Sequence, residues 1–194
     1  MPRNSQITRD RIIDASSRLF YAKGIRAVSV DTIAEKAGIT KKTLYYHFKS
    51  KDELIATYLV SRDQPTLMLF SKWFEAAEGS VADKVHAIFL EVAQSARHPK
   101  WKGCGFLRTA AELADMPGHP AMQAGAAHKR NVEIWLTEKI ADTGVRNAEL
   151  LARQVVLLLD GAFATALIHR NPEYIEIAGD AAATLLRCHS TDPI

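Results

Sequence analysis

The sequence predicts an all-α protein, and three observations support that prediction. Apolar residues recur at helical spacing through most of the 194 residues, while no segment shows the sustained apolar-polar alternation of a half-buried strand. Ser and Thr residues that can cap helices precede several of these segments, and Gly or Pro follows them. The composition, with 47% hydrophobic and 24% charged residues, is that of a globular chain and excludes a disordered or collagen-like one.

The first quarter of the chain is predicted to hold three helices and to begin a fourth. In the first helix, apolar residues from Ile12 to Phe20 lie on one stripe, and Gly24 is the residue type that ends helices in a left-handed conformation. The fourth begins with Ser-Lys-Asp-Glu at Ser50, a capping box with acidic residues in its first turn. The first three helices are predicted between the caps Thr8, Ser29 and Thr40 and the ends Gly24, Gly38 and His47.

The rest of the chain is predicted to hold six further helices. Pro65 is expected to begin a separate helix, since proline suits the first turn and breaks a helix interior. Glycine and proline clusters, among them Met-Pro-Gly-His-Pro at residues 116–120, separate the segments that follow. The predicted helices span about residues 65–77, 81–96, 104–115, 121–142, 148–169 and 172–188.

Charge divides the chain near residue 51. Residues 1–51 hold 11 Lys and Arg against four Asp and Glu, a net charge of +7, whereas the other 143 residues hold 14 against 18. This is the pattern of a polyanion-binding domain joined to a mildly acidic remainder, although a solvated basic face gives the same count. The predicted domains are therefore residues 1–50 and residues 51–194.

The spacing within residues 30–51 favours a helix-turn-helix, in which two short helices are joined by a tight turn. Such a motif needs a small residue where the helices cross, a residue that tolerates positive φ at the bend, and an apolar residue that fills the turn. Ala34, Gly38 and Ile39 meet these three needs in that order. The second helix of the motif is then the one expected to enter the major groove of duplex DNA.

That helix carries the side chains expected to contact nucleic acid. Lys41 and Lys42 stand at its start, where ammonium groups meet phosphates and the acceptor edge of guanine. Thr43 can bond a phosphate or touch a thymine methyl. For Tyr45 and Tyr46, plain packing is the alternative, and contact with DNA is favoured because a polar-tipped aromatic on a short basic helix is better hydrated than buried.

The ordered motifs of this region resemble those of the TetR family of transcriptional regulators. They are Ile-Ala-x-x-Ala-Gly at residues 33–38, Thr-x-x-x-Leu-Tyr-Tyr-His-Phe at 40–48 and Ser-Lys-x-x-Leu at 50–54, within a resemblance that covers about the first 55 residues. The resemblance implies that Lys41, Lys42 and Tyr45 approach base edges. It implies phosphate contacts by Ser29, Thr40, Thr43, Tyr46, His47 and Lys51.

The resemblance also implies an architecture and a function. An amino-terminal three-helix DNA-binding domain would be followed by a larger helical domain for ligand binding and dimerisation. The expected protein is a homodimer that binds a palindromic operator in double-stranded DNA, most often as a repressor, and that a small-molecule effector releases. Lys51 has an independent physical argument as a phosphate ligand, because backbone N–H groups and a cation converge at the first turn of the fourth helix.

The larger domain has more aromatic residues than a compact bundle needs in one place, with a few polar groups among them. Core packing accounts for most of these residues taken singly. We expect a subset to line a ligand pocket, drawn from Tyr58, Phe70, Trp73, Phe74, His86, Phe89, Cys104, Arg108, Glu112, His128 and Trp135.

The last two helices are apolar on more than one face, and a helix at the end of a chain has few partners within its own subunit. A homodimer through a four-helix bundle is therefore expected, with small residues that permit close crossing. The expected interface residues are Leu158, Gly161, Ala162, Thr165, Ala166, Ala182, Leu185 and Leu186.

Two alternatives to this function stay open in the sequence. Cys104 lies between two glycines near lysines, and a helix start and cations favour the thiolate, so a regulator that senses thiols or electrophiles is one alternative. A helical protein-interaction module with a basic head is the other. An enzyme is not expected, since the chain has no P-loop, G-x-G-x-x-G or G-x-S-x-G motif, and no metal or cofactor is expected from the spacing of its seven histidines.

A cytoplasmic location without membrane insertion is also expected from the sequence. The amino-terminal residues lack the apolar region of a secretory signal, and the two cysteines are too few for a disulfide framework. The longest apolar stretch, residues 155–168, is interrupted by Asp160 and is shorter than the roughly 20 residues that cross a bilayer.

Overall fold

The computed structural model describes residues 3–189 and confirms the all-α prediction. Within those residues it contains nine helices and no strand. They are α1 (Arg3–Lys23), α2 (Val30–Ala37), α3 (Lys41–His47), α4 (Lys51–Ala76), α5 (Val81–Ala96), α6 (Gly105–Glu112), α7 (Pro120–Ala141), α8 (Ala148–His169) and α9 (Glu173–His189).

The predicted caps of the two short helices are present. Ser29 and Thr40 are extended residues whose side-chain oxygens accept hydrogen bonds from Thr32 N and Thr43 N, and so satisfy backbone donors that have no partner inside the helix. Helix α2 ends at Gly38, which is left-handed with φ 65°. These three contacts fix both ends of α2 and the start of α3.

Two predicted helix bounds are wrong. Helix α1 begins at Arg3, before the expected cap at Thr8. Helix α4 runs through Pro65 without a break, so the separate helix expected from residue 65 does not exist. Pro65 and Ser61, whose carbonyl loses its usual donor, both lie on the exposed side of α4, where water can take the place of the missing N–H.

The described chain forms two compact units, and their boundary differs from the expected one at residue 50. The first unit runs to Gln64 and also includes Gly105–Ala127, and the second comprises Pro65–Cys104 and the chain from His128 onward. Helix α6 thus belongs with the amino-terminal helices. Side chains of α6 form hydrogen bonds to backbone atoms at the end of α1 and in the residues directly after it.

In the first unit, large apolar side chains from α1, α2, α3 and α4 are fully buried. Ile12, Ile33, Leu44, Phe48 and Leu54 each have at most 1% of their surface exposed. The guanidinium of Arg9 lies over the Phe48 ring, 4.9 Å from its centroid. This core holds α3 with its opposite face toward solvent.

In the second unit, α5 and α8 both pack against α9. The core contains Phe89, Val155, Leu159, Ile175 and Leu186, all buried. A capping box starts α5, in which the Ser80 side chain and the Asp83 side chain each bond the other's backbone N–H.

Among the described residues, α8 alone is long and apolar enough to cross a membrane by length and composition. Core helices of globular proteins meet the same criterion. Seven of its residues are buried inside the unit: Leu151, Ala152, Val155, Val156, Leu159, Ala162 and Ala166. Asp160 of the same helix pairs with Lys129 of α7.

Candidate nucleic-acid interface

Helix α3 has one buried face and one face of polar side chains. Leu44 is buried on the inner face, and Phe48, which directly follows the helix, is buried as its carboxyl-terminal cap. On the outer face, 45% of Tyr45 and 79% of Tyr46 is exposed, and Lys41 and Lys42 are exposed as well. Since large aromatic side chains are seldom left in water, two exposed tyrosines beside two lysines indicate a contact surface.

The turn between α2 and α3 is closed by backbone bonds. The N–H of Gly38 donates to the carbonyls of Ala34 and Glu35, and the N–H of Ile39 donates to Ala34 O at 3.0 Å. From α1, Arg11 Nη2 donates to Ala37 O at 2.5 Å. The carbonyls of Ala34, Glu35 and Ala37 at the end of α2 are therefore satisfied, and the turn holds α2 and α3 in a fixed relation.

Two of the hydroxyl groups expected at phosphates, those of Ser29 and Thr40, serve as helix caps. Thr40 Oγ1 accepts from Thr43 N at 3.1 Å and lies 2.9 Å from Thr43 Oγ1, and Ser29 Oγ has the same relation to Thr32. These hydroxyls are exposed or half-buried. A hydroxyl oxygen has two lone pairs and one proton, so a cap can also bond a phosphate.

The two lysines at the start of α3 differ in their contacts. Lys41 Nζ forms an ion pair with Asp31 Oδ2 of α2 at 3.1 Å. Within residues 3–189, Lys42 has no ion pair, and its ammonium is exposed. An anion can therefore bind Lys42 without the loss of an existing ion pair, whereas Lys41 would first have to separate from Asp31. His47, half-buried, packs edge-on against Tyr46 with ring centroids 5.2 Å apart.

The start of α4 combines a cap with a partly buried cation. Ser50 Oγ accepts from Glu53 N at 3.1 Å, while the Glu53 carboxylate accepts from Lys49 N at 2.7 Å. The predicted capping box is thus present in a shifted form, since Glu53 bonds residue 49 and not Ser50. Burial lowers the pKa of the Lys51 ammonium, and the carboxylates of Asp52 and Glu112 oppose that shift.

The expected ligand residues are divided between the two compact units. Tyr58, Arg108 and Glu112 belong to the first unit, and the others belong to the second. Phe70, Phe74 and Phe89 are buried core residues, and Trp73 and Trp135 pack against the rings of Phe70 and Phe74. Tyr58 is buried against Phe20 of α1, and His128 is buried in the second unit.

Three polar members of the expected pocket form hydrogen bonds or an ion pair in the described structure. Arg108 donates to Tyr21 O and Glu112 accepts from the N–H groups of Ile25 and Arg26, all at the end of α1. His86 lies 3.0 Å from Asp180 of α9 at the surface of the second unit.

Two cavities of the described chain have none of the expected ligand residues in their walls. One, of about 650 Å³, is an open groove in the first unit between α1 and α4, with Arg9, Ile13, Ala56 and Val60 in its wall. The other, of about 190 Å³, lies in the second unit beside Arg97, Trp101 and Arg170. Cys104 is a half-buried free thiol on the loop before α6, and Cys188 is an exposed one on α9.

Half of the expected dimer residues are buried inside the subunit. Ala162, Ala166, Ala182 and Leu186 are buried in the core of the second unit. Leu158, Thr165 and Leu185 are half-buried and Gly161 is exposed. The exposed apolar residues of α8 lie on a different stripe, which contains Leu157 and Ile168.

Sequence reasoning missed the contacts that hold the helix-turn-helix to α1 and α6. Arg11 and Arg26 counted only as part of the basic charge, yet both bond backbone groups. Their partners lie 26 and 86 residues away in the chain. No local pattern marks such partners, because they are main-chain atoms that every residue possesses.

Three comparisons with known proteins agree with this geometry. The sequence profile of the bacterial regulatory proteins of the tetR family matches residues 12–58. The crystal structure of SCO4454, a TetR-family transcriptional regulator from Streptomyces coelicolor, is similar with a TM-score of 0.81 and 32% sequence identity. The match covers 94% of this chain and 96% of that one.

Curated relatives match over shorter stretches. The HTH-type transcriptional regulator SrpR of Pseudomonas putida is 37% identical over 86 residues, which are 41% of this chain and 40% of SrpR. The chain thus spans about two fifths of that relative's length. The HTH-type transcriptional repressor KstR2 of Mycolicibacterium smegmatis is 26% identical over 143 residues, 71% of this chain and 67% of KstR2.

Proposed function

The chain belongs to the TetR family of bacterial regulatory proteins, and we propose that it is a homodimeric repressor that binds a palindromic operator and is released by a small molecule. DNA binding by its helix-turn-helix is the general property of this family of regulators. The proposal adds the assembly, the direction of regulation and the role of a ligand.

The observation that carries the proposal is the outer face of α3. Its exposed tyrosines, the unpaired ammonium of Lys42 and the capped start at Thr40 lie on a helix whose other face is buried. A helix of this kind fits the major groove, where lysine reads the acceptor edge of guanine and tyrosine hydroxyls bond phosphates. We assign base contact first to Lys42 and Tyr45, and phosphate contact to Tyr46 and the cap hydroxyls.

A homodimer is supported by the apolar residues that α8 and α9 leave exposed. Leu157 and Ile168 of α8 are 66% and 75% exposed, and Tyr174 and Ile177 of α9 are exposed too. On each helix these residues lie at helical spacing on one stripe, together with Gly161 and Ala164 of α8 and Ala181 of α9. Two such stripes from two copies form a two-fold four-helix interface, which presents two recognition helices to half-sites about 34 to 36 Å apart.

Repression and release by a ligand rest on similarity and on general thermodynamics. KstR2 is named a transcriptional repressor and matches most of this chain. A ligand that binds better to a conformation with misplaced recognition helices lowers the DNA-competent population, with a coupling of roughly 1 to 3 kcal/mol. Helix α4 joins both units in one continuous helix and is a route for that coupling.

The test is a fluorescence anisotropy titration with duplexes selected from a random library by the wild-type protein. Lys42→Ala is expected to weaken binding about ten-fold and to relax the preference for the selected sequence, since a specific lysine contact contributes on the order of 1 to 3 kcal/mol. It is also expected to flatten the slope of log K against log salt by at most about 0.9, the value for one phosphate contact.

The matched control is Lys72→Ala, which removes an equally exposed lysine from α4 in the second unit. Its affinity, sequence preference and salt slope should equal those of the wild type. If the library yields no preferred sequence with the wild-type protein at any salt concentration, the proposed function is wrong. If Lys42→Ala and Lys72→Ala behave alike, the assignment of α3 as the recognition helix is wrong.

A further inference from the structure

The carboxylate of Glu112 occupies a backbone concavity at the end of α1. Its Oε1 accepts from Ile25 N at 3.1 Å and its Oε2 accepts from Arg26 N at 2.9 Å. Both N–H groups directly follow Gly24, which is left-handed with φ 85°. Successive amide groups next to a left-handed residue form a concavity that suits an anion, and here the anion is supplied by α6 of the same chain.

The contact is reciprocal, because each helix end satisfies backbone groups of the other. Arg26 Nε donates to Glu112 O at 2.7 Å, and Arg26 Nη2 pairs with Asp115 Oδ1 at 2.6 Å. Arg108 Nη1 donates to Tyr21 O at 2.7 Å, one of the last carbonyls of α1. The end of α1 and the two loop residues Ile25 and Arg26 are thus joined to α6 and to Asp115 beyond it by five hydrogen bonds, all of them within the first unit.

Gly24 is also needed for the closeness of this contact. A Cβ atom at residue 24 would lie 2.8 Å from Glu112 Oε1 and 3.2 Å from its carboxyl carbon. Any other residue would push the carboxylate away from the amide groups, and it would strain a left-handed backbone. The glycine that ends α1 therefore admits Glu112.

The concavity belongs to the segment that positions the helix-turn-helix. Residues 24–29, which we call the α1–α2 loop, lead from the end of α1 to Ser29, the cap of α2. Ile25 and Val28 of this loop are buried, so a displacement of the loop must move core side chains. Helix α2 is in turn joined to α3 by the closed turn at Gly38.

We infer that Glu112 is a positioning residue for DNA binding: from α6 it holds the α1–α2 loop, and with it α2 and α3, in the arrangement that fits the operator. The inference rests on the proposed function. It makes α6 a control element of DNA affinity, in addition to α4. A change at the end of α6 that withdraws the carboxylate leaves two loop amides without their partner and loosens the recognition unit.

The experiment compares Glu112→Ala and Glu112→Gln with the full-length wild-type chain in two measurements. Backbone hydrogen exchange is followed at Ile25 and Arg26, and the affinity for the wild-type-selected duplex is measured well below the unfolding temperature. In Glu112→Ala, both amides should exchange faster and the affinity should fall about ten-fold, as expected for the loss of about 1.4 kcal/mol. Glu112→Gln keeps one acceptor oxygen, so its exchange and affinity should lie between the two.

Asp83→Ala serves as the control for general destabilisation. It removes a carboxylate that bonds Ser80 and Arg187 in the second unit, away from the α1–α2 loop in sequence. It should lower the unfolding temperature and leave DNA affinity unchanged.

Faster exchange with unchanged or higher affinity in the Glu112 variants overturns the inference, and so does an equal loss of affinity in Asp83→Ala. If the wild-type chain selects no preferred sequence, the proposed function is wrong and this inference is wrong with it. If the wild type binds a selected sequence and Glu112→Ala binds it equally well, only this inference is wrong.

Discussion

At the scale of single residues, Asp83 is, among the described carboxylates, the one whose pKa is lowered furthest by its surroundings. It accepts from the Ser80 hydroxyl at 2.6 Å and from Ser80 N at 2.9 Å, and it pairs with Arg187 of α9 at 2.7 Å. The hydrogen bonds from Ser80 and Arg187 lower the pKa of Asp83 from 3.8 to about 2. Because the folded protein binds this proton less tightly than the unfolded chain does, the contact stabilises the fold only where Asp83 is ionised.

We predict that Asp83→Asn lowers the free energy of unfolding near neutral pH and that the difference from the wild type disappears in acid. The side chain is 44% exposed, so screening reduces the effect to roughly 1 kcal/mol or less. The contribution is fully present above about pH 4 and is lost as the pH falls toward 2, the folded-state pKa. Urea unfolding of both proteins between pH 7 and pH 2.5 measures the difference, and a constant difference across that range would contradict the assignment.

Single residues also show which contacts could be predicted from the sequence and which could not. The caps Ser29 and Thr40 and the left-handed Gly38 were predictable, because each acts on backbone groups within four residues. Glu112 and Arg108 were read as pocket residues because they are polar groups among aromatic ones. Their partners are backbone groups 86 to 87 residues away in the chain, and nothing in the sequence near either end marks such a pair.

At the scale of elements, the start of α3 depends on one side chain. Thr40 Oγ1 satisfies Thr43 N, and α3 has only seven residues, so an uncapped first turn is a large part of the helix. A short helix has little stability of its own and depends on its cap and its buried face. Leu44 is the one buried residue of α3, so the cap is a substantial part of what stabilises this helix.

We predict that Thr40→Ala lowers the free energy of unfolding by about 1 kcal/mol, the usual cost of losing such a cap, and that Thr40→Ser loses much less. Hydrogen exchange at Thr43 should be faster in the alanine variant and close to wild type in the serine variant. The serine variant is the matched control, since it keeps the oxygen and removes only a methyl group. Equal stability of the two variants would show that the hydroxyl does not cap α3.

Helix α4 shows why the sequence did not predict a helix that continues through a proline. Residue 65 was predicted to start a helix because it is a proline. Proline lacks a backbone N–H both in the first turn of a helix and at a kink, so the nearby sequence does not tell the two apart. What decides between the two is exposure in the folded protein: Ser61, whose carbonyl lacks its usual N–H donor, is an exposed residue. The boundary between the two compact units nevertheless falls at Gln64 and Pro65, where the sequence placed a break.

At the scale of the whole molecule, the proposed dimer interface on α8 and α9 depends on which faces of these helices the core of the subunit leaves exposed. Helices α8 and α9 are apolar on several sides, and periodicity alone does not tell which side a subunit uses for its own core. In the structure, small residues such as Ala162 and Ala182 let α5, α8 and α9 approach within the subunit. The larger residues Leu157, Ile168 and Ile177 are left exposed.

This division leads to a prediction for the assembly. Leu157→Glu places a charge on the exposed stripe of α8, within the proposed two-fold interface. Burial of an unpaired charge is costly, so the variant should shift the dimer toward monomer and weaken operator binding strongly, because one recognition helix then binds alone. Met68→Glu on α4, where the wild-type side chain is 69% exposed, is the matched control and should remain dimeric.

Sedimentation equilibrium of the two variants and the wild type over a range of protein concentrations measures the change. Ala162→Val provides the contrast within the same helix, since Ala162 is buried inside the subunit. Its added methyl groups should lower the unfolding temperature through overpacking, while the dimer persists in the protein that remains folded. If Ala162→Val dissociates the dimer and Leu157→Glu does not, the interface lies on the face that the sequence suggested, and the packing described for α8 would have to be reversed.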